Sequence, residues 1–122
     1  MASNRINRIN EEIQKELSNL LRTVKDPRVQ GKLLTVVRIE LANDLSFGKV
    51  YISALEGYDT AVNAVKGLQH AQGLIRREVA NRLRLRKSPE LKFIADDSVR
   101  KGIELWQEFE SKTRKDKNDE DN

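Results

Sequence analysis

The longest helical pattern in the chain covers residues 61–86, which read AVNAVKGLQHAQGLIRREVANRLRLR. Apolar side chains recur in this stretch at steps of three and four residues, so they form one stripe along a helix. Two glycines, Gly67 and Gly73, interrupt the pattern, and glycine is unfavourable in a helix interior. The sequence therefore predicts a long helix that is bent near Ala71, Gln72 and Gly73.

The segments before this helix predict one helix and two strands. Residues 4–25 carry a second apolar stripe at helical spacing, which ends before Pro27 because proline restricts the residue that precedes it. Residues 33–41 and 49–55 alternate like strands, and the short loop between them predicts an antiparallel hairpin. In the first strand, the alternation places every second residue from Leu33 to Leu41 on the apolar face.

The segments after the long helix predict a third short strand at residues 91–95 and one further helix. The apolar residues of that last helix are expected to face the core; they are Val99, Ile103, Trp106 and Phe109. Residues 111–122 contain no apolar side chain, so we expect a domain over residues 1–110 and a flexible charged tail over residues 111–122. The order predicts an α+β fold, a three-stranded sheet with helices on one face.

The amino-acid composition limits the kinds of functional site that this 122-residue chain can form. The absence of cysteine excludes disulfides and thiolate nucleophiles, and a single histidine, His70, excludes a two-histidine metal site. No glycine-rich phosphate loop is present. We therefore expect no enzymatic activity, no cofactor and no metal. No apolar run approaches the roughly 20 residues that span a bilayer, so we expect a cytoplasmic protein without membrane contact. We also expect the protein to be a monomer.

Positive charge is concentrated in residues 75–92, which hold seven basic and two acidic residues in a chain of net charge +4. Five of the seven are arginine, which suits forked contacts with phosphate. One interpretation is a solvated helix face, and the other is a surface that binds a polyanion. Aromatic residues make up only 5% of the chain and do not interleave with the basic run, which favours a structured RNA held through its backbone over stacked single-stranded bases.

Helical geometry groups several of these residues opposite the apolar stripe, and Lys87 and Lys92 extend the positive surface beyond the helix end. Lys25 and Arg28 flank Pro27 and are further candidates, although the sequence leaves their position open. The candidate RNA-binding residues are Lys66, His70, Gly73, Arg76, Arg77, Arg84, Arg86, Lys87, Lys92, Lys25 and Arg28. Arg82 and Arg86 lie nearer the apolar edge, and Arg82 can pair with Glu78. Asp96 and Asp97 are the best carboxylate pair. They fit a helix cap, and the alternative is the metal site of a nuclease.

Several segments, taken in order, closely resemble bacterial ribosome-binding factor A. They are Lys25–Val29, Asn43–Leu45, Lys49–Ser53, Ala71–Glu78, Leu83–Arg86, Pro89–Phe93 and Asp96–Ser98. The resemblance covers about residues 4–105 without large gaps. It implies a KH-like fold of type II, in the order α-β-β-α(kink)α-β plus a C-terminal helix. The kink at Ala71-Gln72-Gly73 would replace the usual GxxG loop, and no glycine of this chain is followed by another three residues on.

The resemblance also implies a function in ribosome biogenesis. It implies a non-enzymatic, RNA-binding factor that binds the small (30S) ribosomal subunit and assists late maturation and processing of 16S rRNA. It further implies cold adaptation and release with help from a ribosome-associated GTPase. The alternative that stays open is a protein-interaction module whose basic face binds an acidic partner.

Overall fold

The structure is a computed structural model that describes the backbone of residues 4–120 and the side chains of residues 5–114. The helices are α1 (Asn4–Leu20), α2 (Tyr58–His70), α3 (Gln72–Leu83) and α4 (Ser98–Glu120), and the strands are β1 (Leu34–Leu41), β2 (Phe47–Ala54) and β3 (Glu90–Ala95). A short 3-10 turn, Leu21–Thr23, follows α1. This order confirms the predicted α+β class.

The three strands lie in the order β1-β2-β3. β1 and β2 pair antiparallel, with Leu41 opposite Gly48, which confirms the predicted hairpin. β3 pairs with β2 in parallel, with Ala95 opposite Ile52. A parallel neighbour requires a crossover connection, and α2 and α3 provide it between β2 and β3. β3 is therefore an edge strand that lies next to the crossover helices.

The core lies between one face of the sheet and helices α1, α2 and α3. Side chains from all of these elements are fully buried there; they include Ile13, Leu17, Val50, Ile52, Leu68, Ile75 and Val79. They are the residues at which the predicted stripes of residues 4–25 and 61–86 meet the apolar face of β2. Burial of such aliphatic side chains is the main contribution to the stability of a domain of this size.

The alternation predicted for β1 is wrong in its first half. Val36 is buried, whereas Leu33 is 63% exposed and Val37 is 39% exposed. The reason is a bulge: Val36 lies opposite Ile52, yet Arg38 already lies opposite Tyr51, so Val37 is an extra residue. An extra residue reverses which side chains face the core, because strand side chains alternate with a period of two.

The prediction that α4 buries its apolar residues is also wrong. The side chains of Val99, Ile103, Trp106 and Phe109 are all more than half exposed. Trp106 and Phe109 instead stack on each other, with their ring centroids 5.7 Å apart. Helices α1, α2 and α3 pack against the strands, whereas α4 makes few contacts with any strand or helix, so its apolar side chains stay exposed.

The charged tail predicted for residues 111–122 is helical over most of its length, because α4 continues to Glu120. The last two residues, 121 and 122, lie outside the described residues. The flexibility of this tail and the domain boundary at residue 110 stay predictions. Within residues 4–120, no helix is both long enough and apolar enough to cross a lipid bilayer.

Candidate nucleic-acid interface

The long basic helix is broken at a single residue. α2 ends at His70 and α3 begins at Gln72, and Ala71 between them has φ −88° and ψ 8°. The Ala71 N–H still donates to the Gly67 carbonyl at 3.1 Å, so the two helices stay connected through the break. Gly73 lies exposed in the first turn of α3, where an added Cβ would meet no atom within 4 Å. A ligand can therefore approach the backbone closely at this point.

Two glutamines on either side of the break attach the helices to the edge of the sheet. The Gln69 amide donates to the Leu91 carbonyl at 3.1 Å and accepts from the Phe93 N–H at 3.0 Å. Gln72 accepts from the Leu91 N–H at 2.8 Å. These side chains thus satisfy backbone groups of β3 that would otherwise face outward along an open strand edge. Sequence reasoning missed this role, because nothing in the helical pattern shows that the glutamines face a strand.

Arg76 also attaches α3 to the segment that leads into β3. Its guanidinium donates to the Pro89 carbonyl and to the Ser88 carbonyl, both at 3.0 Å, and the side chain is partly buried. The structure therefore places Arg76 apart from the other candidates, as a residue that holds the loop before β3. Its predicted contact with RNA is untested.

The other candidate cations all lie exposed on the surface. Among residues 5–114, only Arg28 of the candidates has a carboxylate within 4.0 Å of its side-chain nitrogens. Arg82 behaves differently, since it pairs with Glu16 at 3.3 Å and with Glu78 at 3.8 Å, the latter as predicted. The described carboxylates thus do not neutralise the positive charge of α2 and α3, and this surface is available to an anion.

A groove of about 410 Å³ lies between α2 and β3. Lys66 of α2 and Lys92 of β3 both line it, together with Glu90 and the apolar side chains of Val65 and Phe47. Sequence reasoning could not place Lys66 beside Lys92, because the two lysines belong to separate elements that only the chain crossover brings together. A groove with ammonium groups from two elements can hold a phosphate backbone along its length.

The turn after α1 lies against α2. The Asp26 carboxylate accepts from the Arg28 N–H at 2.9 Å and forms an ion pair with the Arg28 guanidinium, also at 2.9 Å. These hydrogen bonds, aided slightly by the nearby charge of His70, lower the pKa of Asp26 from 3.8 to about 2. The carboxylate sits directly over Gly67. The structure therefore places the turn that carries Arg28, whose position the sequence left open, against α2 at Gly67. Lys25, whose position the sequence also left open, directly precedes Asp26 and is exposed.

Arg84 ends α3 in an unusual conformation. Its φ of 53° and ψ of 41° are left-handed, and the Leu85 N–H that follows it donates to the Ala80 carbonyl at 2.9 Å. This geometry closes a helix C-terminus, and glycine is the residue that usually occupies it. The Arg84 side chain is exposed. An arginine held at this cost in conformational energy is a stronger functional candidate than the sequence alone indicated.

The carboxylate pair considered for metal binding is engaged at the start of α4. The Asp96 carboxylate accepts from the Ser98 hydroxyl and lies 3.9 Å from Arg38, whose guanidinium is placed over the Tyr51 ring. Asp97 pairs with cations of the first turns of α4 at 3.5 Å. Within the described part of the chain, no three His, Cys, Asp or Glu side chains come together in a way that could hold a metal ion.

Comparisons with known proteins agree with this architecture. The family model described as ribosome-binding factor A matches residues 5–109. A ribosome-binding factor A of Clostridium novyi is 38% identical over 120 residues, which cover 98% of each chain. The crystal structure of ribosome-binding factor A from Thermus thermophilus matches with a TM-score of 0.64 and 27% identity, over 73% of this chain and 92% of that one.

A second structural match is a Thermus thermophilus homology model that was fitted into the cryo-EM map of a 30S–RbfA complex. It gives a TM-score of 0.61 and 26% identity, over 74% of this chain and 93% of that one. The relative from Clostridium novyi is thus similar in sequence over nearly its whole length, and the two matched structures are similar in fold. The chain belongs to the ribosome-binding factor A family.

Proposed function

We propose that this protein is a ribosome assembly factor that binds the small (30S) ribosomal subunit and assists late maturation and processing of 16S rRNA without catalysing a reaction. The observation that carries the proposal is the exposed cationic surface of α2, α3 and their flanking turns, which the described carboxylates leave unpaired apart from Arg28 and Arg82. Family membership supports it, as does the relative from Thermus thermophilus that was fitted into the map of a complex with the 30S subunit.

The chemistry of the surface favours RNA backbone as the ligand. Lysine and arginine that neutralise phosphates release condensed counterions, and this release gives affinity without reading the sequence. The edge groups of β3 at Leu91 and Phe93, which could otherwise bond to bases, are already bonded to Gln69 and Gln72. Contacts in the groove therefore go to phosphates, and the RNA is selected by its shape.

Binding of this kind can direct maturation only through a difference in affinity. If the surface binds one arrangement of the immature 16S rRNA more tightly than competing arrangements, occupancy shifts the population toward it. Mispaired RNA helices open more slowly when cold, so such a shift matters most at low temperature. The proposal includes a monomeric protein acting in the cytoplasm, where ribosomal subunits mature, and release with help from a ribosome-associated GTPase.

The test is co-sedimentation with immature and mature 30S subunits over a series of salt concentrations. The double variant Arg77→Ala/Arg84→Ala should bind about tenfold more weakly, with a salt dependence reduced by about two counterions. The matched control Lys101→Ala/Lys112→Ala removes the same charge from α4, where both lysines are paired with carboxylates, and should bind within about twofold of the unaltered chain. Binding that depends on neither salt nor Arg77 and Arg84 would contradict the proposal.

The alternative is that the same surface binds an acidic protein. A competition experiment distinguishes this alternative from RNA binding. Protein-free 16S rRNA should displace the factor from immature subunits if phosphates are the ligand. If the rRNA does not compete, while the binding still depends on salt and on Arg77 and Arg84, the surface recognises a protein.

A further inference from the structure

Arg28 is oriented by its neighbour before it meets any ligand. The Asp26 carboxylate accepts from Nε of Arg28 at 3.0 Å and from Nη2 at 2.9 Å, while the Arg28 backbone N–H donates to the same carboxylate at 2.9 Å. The Asp26 side chain is only 14% exposed, whereas that of Arg28 is 43% exposed. The guanidinium is thus held along one edge, and its Nη1 group is left to donate to an incoming acceptor.

Gly67 makes room for this arrangement. A Cβ added there would lie 2.9 Å from Cγ and Oδ1 of Asp26 and 2.9 Å from Cγ2 of the buried Val29. Two other glycines of the helical segments, Gly73 and Gly102, would meet no atom within 4 Å. Glycine weakens a helix interior, so its presence in α2 is explained by the approach of the turn.

The turn and the helix each carry a lysine next in the chain to this contact. Lys25 precedes Asp26, and Lys66 precedes Gly67, and both lysines are exposed. His70, one helical turn after Lys66, is exposed and lies close enough to interact electrostatically with the Asp26 carboxylate. The turn that carries Arg28 therefore contacts α2 at Gly67, next in the chain to Lys66, and a basic surface is the environment that a phosphate favours.

We infer that Asp26 and Gly67 are positioning residues, which fix Arg28 as a ligand for an RNA phosphate at the junction of the first turn and α2. The inference rests on the proposed function, since it assumes that RNA binds this face. It explains how the turn after α1 holds Arg28, one of the candidate RNA-binding residues, in a fixed orientation. It also assigns a binding role to a carboxylate, whose negative charge alone would repel RNA.

The inference is tested by whether Asp26→Asn weakens or tightens binding to 16S rRNA. This substitution keeps the size of the side chain and removes one negative charge, so general electrostatics predict tighter binding to 16S rRNA. If the carboxylate orients Arg28, Asp26→Asn instead weakens binding about fivefold. Tighter or unchanged binding would overturn the inference. Thermal unfolding of the variant shows that the measured protein is folded.

A double-mutant cycle tests Gly67 independently. Arg28→Ala should weaken binding about fivefold and lower the salt dependence by about one counterion, and Gly67→Ala should do nearly the same. The double variant should then resemble Arg28→Ala alone, because both changes remove one contact. The inference would be overturned if the double variant weakened binding by the product of the two single effects. It would also be overturned if Gly67→Ala bound like the control Gly102→Ala. Loss of binding in Arg77→Ala/Arg84→Ala would still support the proposed function, so the two failures are distinguishable.

Discussion

The Phe93 N–H of the edge strand donates to the Oε1 atom of Gln69 at 3.0 Å, so a helix side chain replaces the neighbouring strand that β3 lacks. The same amide also donates to the Leu91 carbonyl. One side chain thus satisfies two backbone groups of β3, and it belongs to the last turn of α2, directly before the break at Ala71.

This relationship predicts that Gln69→Leu destabilises the fold by about 1–3 kcal/mol, because it leaves partly buried backbone groups without partners. Urea unfolding followed by circular dichroism measures the change. The matched control is Gln107→Leu on the exposed surface of α4, for which we expect a change within about 0.5 kcal/mol. Equal stabilities of the two variants would contradict this role of Gln69.

Arg84→Gly should raise stability and lower RNA binding at the same time. Glycine adopts the left-handed conformation of position 84 without steric cost, so we expect a gain of about 1 kcal/mol. The loss of the exposed guanidinium should weaken binding to 16S rRNA. Arg84→Ala is the control, since it removes the same charge without relieving the backbone. A stability gain in both variants would show that the side chain, and not the backbone, causes the strain.

The Asp26–Arg28 pair predicts how stability depends on pH. The pKa of Asp26 is about 2 in the folded protein, below the ordinary value of 3.8. A depressed pKa stabilises the folded state above the unfolded value and loses that contribution as pH falls through the folded value. The melting temperature of the unaltered chain should therefore approach that of Asp26→Asn between about pH 4 and about pH 2. A difference that stays constant down to pH 2 would contradict the assignment.

The exposed position of α4 predicts that its aromatic residues contribute little to stability. Trp106→Ala should cost less than about 1 kcal/mol, because Trp106 is 60% exposed and its ring stacks on the equally exposed Phe109. Phe93→Ala, in the core, should cost about 3 kcal/mol or more. Chemical unfolding of both variants measures the contrast. A large cost for Trp106→Ala would mean that α4 packs against the body in solution.

Local periodicity was enough to predict much of this fold. The stripes of α1, α2 and α3 and the apolar face of β2 could be recognised because burial on one face imposes a fixed spacing within a single element. The bend was predicted at residues 71–73, and the helix break lies at Ala71. The candidate cations of the basic segment could be named for the same reason, since charge on the face opposite the core must be solvated or bound.

Other features arise from contacts between segments that are distant in the chain, and no local pattern encodes them. The bulge at Val37 depends on how β1 pairs with β2, and the exposure of α4 follows from its few contacts with any strand or helix. Two further contacts also join separate elements. Gln69 of α2 is hydrogen-bonded to β3, and Asp26 of the turn after α1 packs against Gly67 of α2. The sequence alone was thus sufficient to identify most of the charged groups of the candidate surface. Only packing between elements determined which of them stay free, which are paired and which are held in place to meet a phosphate.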